Sequence, residues 1–162
     1  MSVSNERLAR ELEDAFKNRA LLYQDLLAEL SADLGRDKAL DLLAKAIERR
    51  GKGVAEAAFK NYGPKDALKV GEAFLAVSPN GGAMYPTEVT RLENGIDICV
   101  QRCPLLDAWQ ASGADAEEVA TLCKLAGAFD KGLFEGVGLQ FSAETWTEGH
   151  KGCCHIHLRD GV

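Results

Sequence analysis

The hydrophobic pattern of this 162-residue chain changes its period near Pro79-Asn80-Gly81-Gly82, a run of turn-forming residues. Before this run the apolar residues recur as on one face of a helix, and after it they alternate as in a half-buried strand. Helices that precede an antiparallel sheet are typical of the α+β class. We therefore predict N-terminal helices packed on a C-terminal antiparallel sheet of about four strands, with two intervening helices. A single domain is expected over residues 1–162, with a helical half at about 1–78 and an α/β half at about 83–160.

Four helices are predicted in the first half. The first carries a long apolar stripe and stops at Gly35, and Asp37 caps the second, which ends at Gly51. Shorter helices are expected over residues 54–62 and 65–77. The stripe of the first helix consists of Leu8, Leu12, Phe16, Leu22, Leu26 and Leu30. We expect this stripe to be the face that the first helix buries.

Two antiparallel strand pairs are predicted in the second half. Asn94-Gly95 separates strand-like runs at 87–92 and 96–101, and Asn-Gly between two such runs is a strong hairpin signal. Residues 139–147 and 153–158 also alternate, with a glycine-containing turn between them. We expect these two segments to close the sheet as a second antiparallel pair.

Charge and composition exclude several classes of function. The formal net charge is −6 and basic residues are mixed with acidic ones, so no nucleic-acid surface is expected. The longest apolar stretches fall far short of the roughly 20 residues that a membrane-spanning helix needs. The chain starts with a charged amphipathic pattern and not with a signal-peptide core, which predicts a cytoplasmic protein. The expected partner is a small-molecule substrate or ligand; a homodimer is permitted but not required.

The densest group of reactive side chains is the run Cys153-Cys154-His155-Ile156-His157. Alternation along a strand predicts that Cys153, His155 and His157 share one face, with neighbours about 7 Å apart. A thiol beside imidazoles is suited to nucleophilic catalysis with proton transfer. The same three side chains would also suit a divalent metal such as zinc. The third interpretation is ordinary packing of a half-buried strand.

Two further cysteines and one carboxylate lie on the intervening helices. Cys103 follows a strand and precedes Pro104 at a helix start, where backbone N–H groups favour a thiolate. Cys123 falls in the apolar stripe of the next helix, which favours a core thiol. Asp130, near the end of that stripe, is either a solvated helix-end carboxylate or a partner that orients an imidazole. The odd total of five cysteines indicates free thiols and not a disulfide framework.

These residues carry a resemblance to a known family. The Cys103-Pro104 pair, Cys123 within a helix, and the run Gly149-His150-Lys151-Gly152-Cys153 resemble motifs of the L-2-amino-thiazoline-4-carboxylic acid hydrolase family. The similarity extends over about residues 30–158. The family has Gly-Asp where this chain has Gly149-His150, and an acidic residue soon after its helical cysteine, where this chain has Lys124-Leu125-Ala126.

The resemblance implies a hydrolase that acts on a carbon–nitrogen bond of a cyclic amidine. Water would attack the carbon between the ring sulfur and nitrogen, giving an N-carbamoyl cysteine-like product. On this hypothesis Cys153 is the nucleophile or a metal ligand, and His155 or His157 transfers the proton. The remaining site residues would be Cys103, Cys123 and Asp130.

The closing Gly-x-x-x-Cys strand also resembles small-molecule-sensing domains of the 4-vinyl-reductase type. On that interpretation the chain binds a small molecule, a metal or a cofactor without transforming it. A purely structural protein would instead leave the face of Cys153, His155 and His157 without a cavity.

Overall fold

The computed structural model describes residues 3–162, with side chains described from residue 5 onward. Its elements, in chain order, are α1 (Val3–Leu34), α2 (Arg36–Ala58), α3 (Ala67–Ala76), a 3₁₀ turn (Pro79–Gly82), β1 (Thr87–Leu92), β2 (Gly95–Val100), α4 (Pro104–Ala111), α5 (Ala116–Val137), β3 (Gln140–Glu144) and β4 (Cys154–Arg159). The predicted α+β class is confirmed, with a four-stranded antiparallel sheet and two intervening helices. No helix in the described part of the chain is long and apolar enough to cross a membrane.

The last strand of the chain occupies a central position in the sheet. The strand order is β1-β2-β4-β3, and every neighbouring pair is antiparallel. The predicted hairpin around Asn94-Gly95 is confirmed as β1 and β2, and the predicted closing pair as β3 and β4. Because β4 is hydrogen-bonded on both sides, its side chains are held in register and project alternately to the two faces.

The two faces of the sheet differ in character. The inner face packs against the helices, as when the Phe134 ring of α5 stacks on the Phe141 ring of β3 with centroids 5.8 Å apart. Its buried residues on the two central strands are Ile96, Ile98, Val100, Ile156 and Leu158. The outer face is polar, and its side chains are Glu88, Thr90, Asp97, Cys99, Ser142, Glu144, His155 and His157. The sheet thus separates an apolar interior from a polar, accessible surface.

The predicted helix end at Gly51 is wrong, because α2 continues through Gly51 to Ala58 and includes the start of the predicted 54–62 helix. A Cβ on Gly51 would lie 2.1 Å from the Phe129 carbonyl oxygen of α5, and a Cβ on Gly132 would lie 2.0 Å from the Glu48 carbonyl oxygen of α2. Both distances are far below van der Waals contact. These two glycines therefore bring the backbones of α2 and α5 together, and Gly51 serves packing and not termination.

The buried face of α1 also differs from the predicted stripe. Its inward side chains recur at alternating intervals of four and three residues: Phe16, Ala20, Tyr23, Leu27 and Leu30. Leu8 and Leu22 of the predicted stripe are 59% and 52% exposed, and Leu12 and Leu26 are exposed as well. The predicted stripe is right at Phe16 and Leu30 and wrong at its other four leucines, because it followed the largest apolar residues and passed over Ala20. At that small residue the Trp109 indole Nε1 donates a 2.8 Å hydrogen bond to the Ala20 carbonyl.

Local capping residues delimit the two helices of the second half. The Asp115 side chain accepts a 2.8 Å hydrogen bond from the Glu118 backbone N–H at the start of α5. Gly138 ends α5 in the left-handed conformation, with a φ of 93°. Pro104 opens α4 immediately after Cys103. These residues fix where α4 and α5 begin and where α5 ends, and the two helices contact each other.

Candidate functional site

The start of β4 places Cys153 on a different side of the sheet from the two histidines. Cys153 precedes the strand, follows Gly152 with a φ of 84°, and is 2% exposed. Its Sγ lies 3.1 Å from the Sγ of Cys154, which alternates onto the inner face of β4. His155 and His157 project from the outer face. The prediction that these three side chains share one face and converge on one metal ion is therefore wrong, because the strand alternation begins only at Cys154.

Cys103 stands at the N-terminus of α4 with its thiol toward Cys153. The hydrogen bond from the Cys153 thiol is the largest effect and lowers the pKa of Cys103 below its ordinary value. Burial acts in the opposite direction, and the backbone N–H groups of Leu106 and Leu105 lower the pKa further. The predicted position of Cys103 at the start of a helix is thus confirmed.

Cys153 and Cys123 are expected to remain thiols. Hydrogen bonding to Cys103 and Cys154, together with burial, raises the pKa of Cys153 far above its ordinary value. Burial also raises the pKa of Cys123, with smaller contributions from Cys154 and Cys103. The predicted core position of Cys123 on α5 is confirmed. We call Cys103, Cys123, Cys153 and Cys154 the inner thiol cluster, and within it Cys103 is the residue favoured as a thiolate.

Tyr85 lies near the inner thiol cluster and near the carboxyl group of Asp130. Burial raises the pKa of Asp130 to about 7, against a smaller opposite effect of the Arg19 guanidinium. Burial likewise raises the pKa of Tyr85, and the charges of Cys103, Asp130 and Cys153 raise it further while Arg19 lowers it. Tyr85 therefore lies within electrostatic reach of both Asp130 and the thiols.

Aromatic contacts position Arg19 near Tyr85. The Arg19 Cζ lies 4.6 Å from the centroid of the Phe16 ring, and Phe16 meets Tyr85 edge-on with centroids 5.9 Å apart. Neither Arg19 nor Tyr85 was identified from the sequence. Arg19 lies on a helix rich in charged residues and Tyr85 lies in a connection before β1, so no pattern distinguished them.

The outer face brings the histidines together with other partners. His155 Nε2 lies 2.9 Å from Cys99 Sγ, which also accepts a 3.1 Å hydrogen bond from Gln101 Nε2. His157 Nδ1 lies 2.8 Å from Asp97 Oδ1. Neither of these imidazoles has Asp130 as its partner, so they do not support the imidazole-orienting role, which was one of the two roles considered for Asp130.

Asp97 is also the centre of a small charged network. The Asp97 Oδ1 lies 2.7 Å from Arg159 Nη1 in an ion pair. Arg159 lowers the pKa of Asp97 more than His157 does. A shallow depression of about 200 Å³ runs between these groups and the neighbouring strand β1. The outer face is consequently a second polar site, separated from the inner thiol cluster by the sheet.

The fold and the inner thiol cluster define a small α+β protein with a cysteine-based candidate site. The family model for L-2-amino-thiazoline-4-carboxylic acid hydrolase matches residues 15–158, so the chain belongs to this family. The resemblance inferred from the cysteine motifs is thereby confirmed, and the matched range includes Cys103, Cys123, Asp130 and Cys153. A comparison with curated proteins finds no match.

Proposed function

We propose that this protein is a hydrolase that opens a cyclic amidine of the 2-amino-thiazoline carboxylate type, with Cys103 as its nucleophile. The name of the family supports the reaction class. The position of Cys103 at the N-terminus of α4, beside the other inner thiols, carries the assignment of the nucleophile. Its lowered pKa supports the same assignment. Cys153, the nucleophile suggested by the sequence, becomes a hydrogen-bond donor in this proposal.

The proposed reaction proceeds through a covalent intermediate. The Cys103 thiolate adds to the amidine carbon, and the ring nitrogen takes a proton as its double bond to that carbon becomes single. The adduct expels the ring sulfur, which takes a proton and becomes the free thiol of the substrate, leaving an isothiourea on Cys103. Water then adds to the same carbon, loses its protons, and displaces the Cys103 thiolate to give the N-carbamoyl product. The sum of these steps consumes one water molecule and regenerates the enzyme.

Asp130 is the proposed proton carrier. A carboxyl group with a pKa of about 7 is present in both protonation states near neutral pH, so it can give a proton to the departing sulfur and take one from water. Tyr85 is the proposed link between Asp130 and the thiols, since its phenol responds to the charges of both. The exposed Arg19 guanidinium beside Tyr85 is the proposed partner of the substrate carboxylate.

The test is an assay of 2-amino-thiazoline-4-carboxylate turnover, in which the free thiol of the product is measured over time. Cys103→Ser should abolish turnover, whereas His157→Gln, on the outer face, should leave it unchanged. Full activity in Cys103→Ser would refute the nucleophile assignment. Loss of activity in His157→Gln would instead indicate that the outer face is the catalytic site. Tight binding of the thiazoline without turnover would favour the alternative function, a ligand-binding protein of the 4-vinyl-reductase-like kind.

A further inference from the structure

A row of potential metal ligands crosses the outer face of the sheet. Glu144 of β3 stands directly opposite His155 of β4 in the antiparallel register. His150, in the turn between these strands, folds back so that its ring centroid lies 5.1 Å from that of His155. One ligand atom from each of these three residues lies within 4.8 Å of those from the other two.

We propose that Glu144, His150 and His155 bind a divalent transition-metal ion of the zinc type. Two imidazoles and one carboxylate form a common protein donor set for zinc and for neighbouring first-row ions, and they leave coordination positions open to water. The Glu144 carboxylate supplies negative charge to the ion. This donor set differs from the combination of Cys153, His155 and His157 expected from the sequence, and it contains no member of the inner thiol cluster.

The environment of His150 supports the assignment. Its Nδ1 is shielded from solvent and has no hydrogen-bond partner among the described residues. A buried ring nitrogen without a partner is costly, and a bound metal ion or a water molecule held by one would remove that cost. Gly149 and Gly152 flank the histidine with φ values of 80° and 84°, so the turn adopts the left-handed conformations that bring it back over the sheet.

The contacts of His155 fit a metal-bound imidazole as well. Metal-binding histidines usually donate their second ring N–H to a protein group, which fixes the orientation of the ring. His155 Nε2 lies 2.9 Å from Cys99 Sγ, and Gln101 in turn donates to that sulfur. With the ion on Nδ1, the Nε2–H group of His155 would donate to Cys99.

His157 provides a matched control on the same face. It lies two residues along β4, and its ring is engaged by Asp97 at 2.8 Å. Glu144, His150 and His155 lie on the accessible side of the sheet, so conservative changes there should leave the fold intact. An ion at this site would tie the β3–β4 turn to the sheet and would stabilise the folded protein by mass action.

The experiment is titration of the metal-free, full-length protein with Zn²⁺, read by calorimetry and by the thermal unfolding temperature. Wild type should bind one ion per chain and unfold at a higher temperature with Zn²⁺. Glu144→Gln, His150→Gln and His155→Gln should each weaken binding by about tenfold or more and lose the thermal shift. Each variant should unfold near the wild-type temperature in the presence of a chelator.

Two controls distinguish this site from alternatives. His157→Gln and Cys103→Ser should both bind Zn²⁺ like wild type. The proposal would be overturned if wild type did not bind Zn²⁺. It would also be overturned if all three ligand variants still bound Zn²⁺ and Cys103→Ser did not. Substitution of Co²⁺ for Zn²⁺ adds an independent reading, because the near-ultraviolet spectrum should lack a strong thiolate charge-transfer band. An intense band that is lost in Cys103→Ser would also contradict the proposed ligands.

Discussion

The Sγ of Cys153 lies 3.1 Å from the Sγ of Cys154, although adjacent residues in a regular strand point to opposite faces. The left-handed Gly152 just before Cys153 turns the chain, and the strand itself begins at Cys154. As a result the Cys153 thiol joins the interior, where it lowers the pKa of Cys103. The effect of Cys153 on the pKa of Cys103 supports Cys103 as the proposed nucleophile.

Replacing Cys153 by alanine should raise the pKa of Cys103, because the Cys153 thiol makes the largest contribution to lowering it. The rate of Cys103 alkylation by a small electrophile, followed by mass spectrometry against pH, should have its midpoint below the ordinary thiol value in wild type. In Cys153→Ala this midpoint should move to higher pH. Cys99→Ser, which changes a thiol on the outer face, should leave the Cys103 midpoint where it is. Identical midpoints in wild type and Cys153→Ala would contradict the assigned hydrogen bond.

The sequence was enough to predict the helix or strand on which most of the reactive residues lie. It was only partly enough to predict how those residues are placed in space. Local signals in the sequence were enough to predict the hairpin at Asn94-Gly95 and the helix start after Cys103. These signals depend on residues that are close in sequence. The face taken by Cys153 depended on one left-handed glycine, which alternation alone does not reveal.

Tertiary contacts account for the other differences. A glycine such as Gly51 is typical of a helix end. In the structure it instead allows the close approach of α5, an element some eighty residues away in the chain. The grouping of Tyr85, Arg19 and Asp130 brings together a loop and two helices, so no local spacing predicts it. The ligand row of Glu144, His150 and His155 likewise depends on the β3–β4 register.

The contact between α2 and α5 predicts opposite effects for two neighbouring glycines. Gly51→Ala should destabilise the protein by roughly 3 kcal/mol or more, because the added methyl group would overlap the Phe129 carbonyl oxygen. Gly53→Ala, two residues along the same helix, meets only an arginine side-chain atom at 3.8 Å and should stabilise by about 0.5–1 kcal/mol. Urea unfolding of the two variants measures both values. Equal effects would show that the helices do not approach as closely as described.

The buried face of α1 is tested by a pair of leucines. Leu27 is fully buried, so Leu27→Ala should cost about 2–5 kcal/mol of the free energy of unfolding. Leu22 belongs to the stripe suggested by the sequence but is mostly exposed, and Leu22→Ala should change stability by less than about 0.5 kcal/mol. A larger loss at Leu22 than at Leu27 would favour the original stripe over the observed face.

The raised pKa of Asp130 predicts an unusual dependence of stability on pH. The pKa is about 7 in the folded protein against an ordinary value of 3.8, so between these values the folded state binds the extra proton. Stability should therefore fall as the pH rises through this window, and the full cost of the buried charge should be present above about pH 7. Asp97 should behave in the opposite way, because its lowered pKa stabilises the folded state above the ordinary value and this contribution is lost on acidification.

Asp130→Asn should consequently stabilise the protein at alkaline pH while impairing turnover. The two pKa values set an upper limit of about 4 kcal/mol, and the partial exposure of the side chain reduces the expected gain at pH 8 to roughly 2 kcal/mol. Near pH 4 the difference from wild type should vanish, since the carboxyl group is then neutral in the folded state. Turnover should fall by about 100-fold or more if Asp130 carries the proton. A gain in stability together with a loss of turnover would mean that the half-buried carboxylate is retained for chemistry at the expense of stability. Unchanged turnover would mean that Asp130 is destabilising but not catalytic.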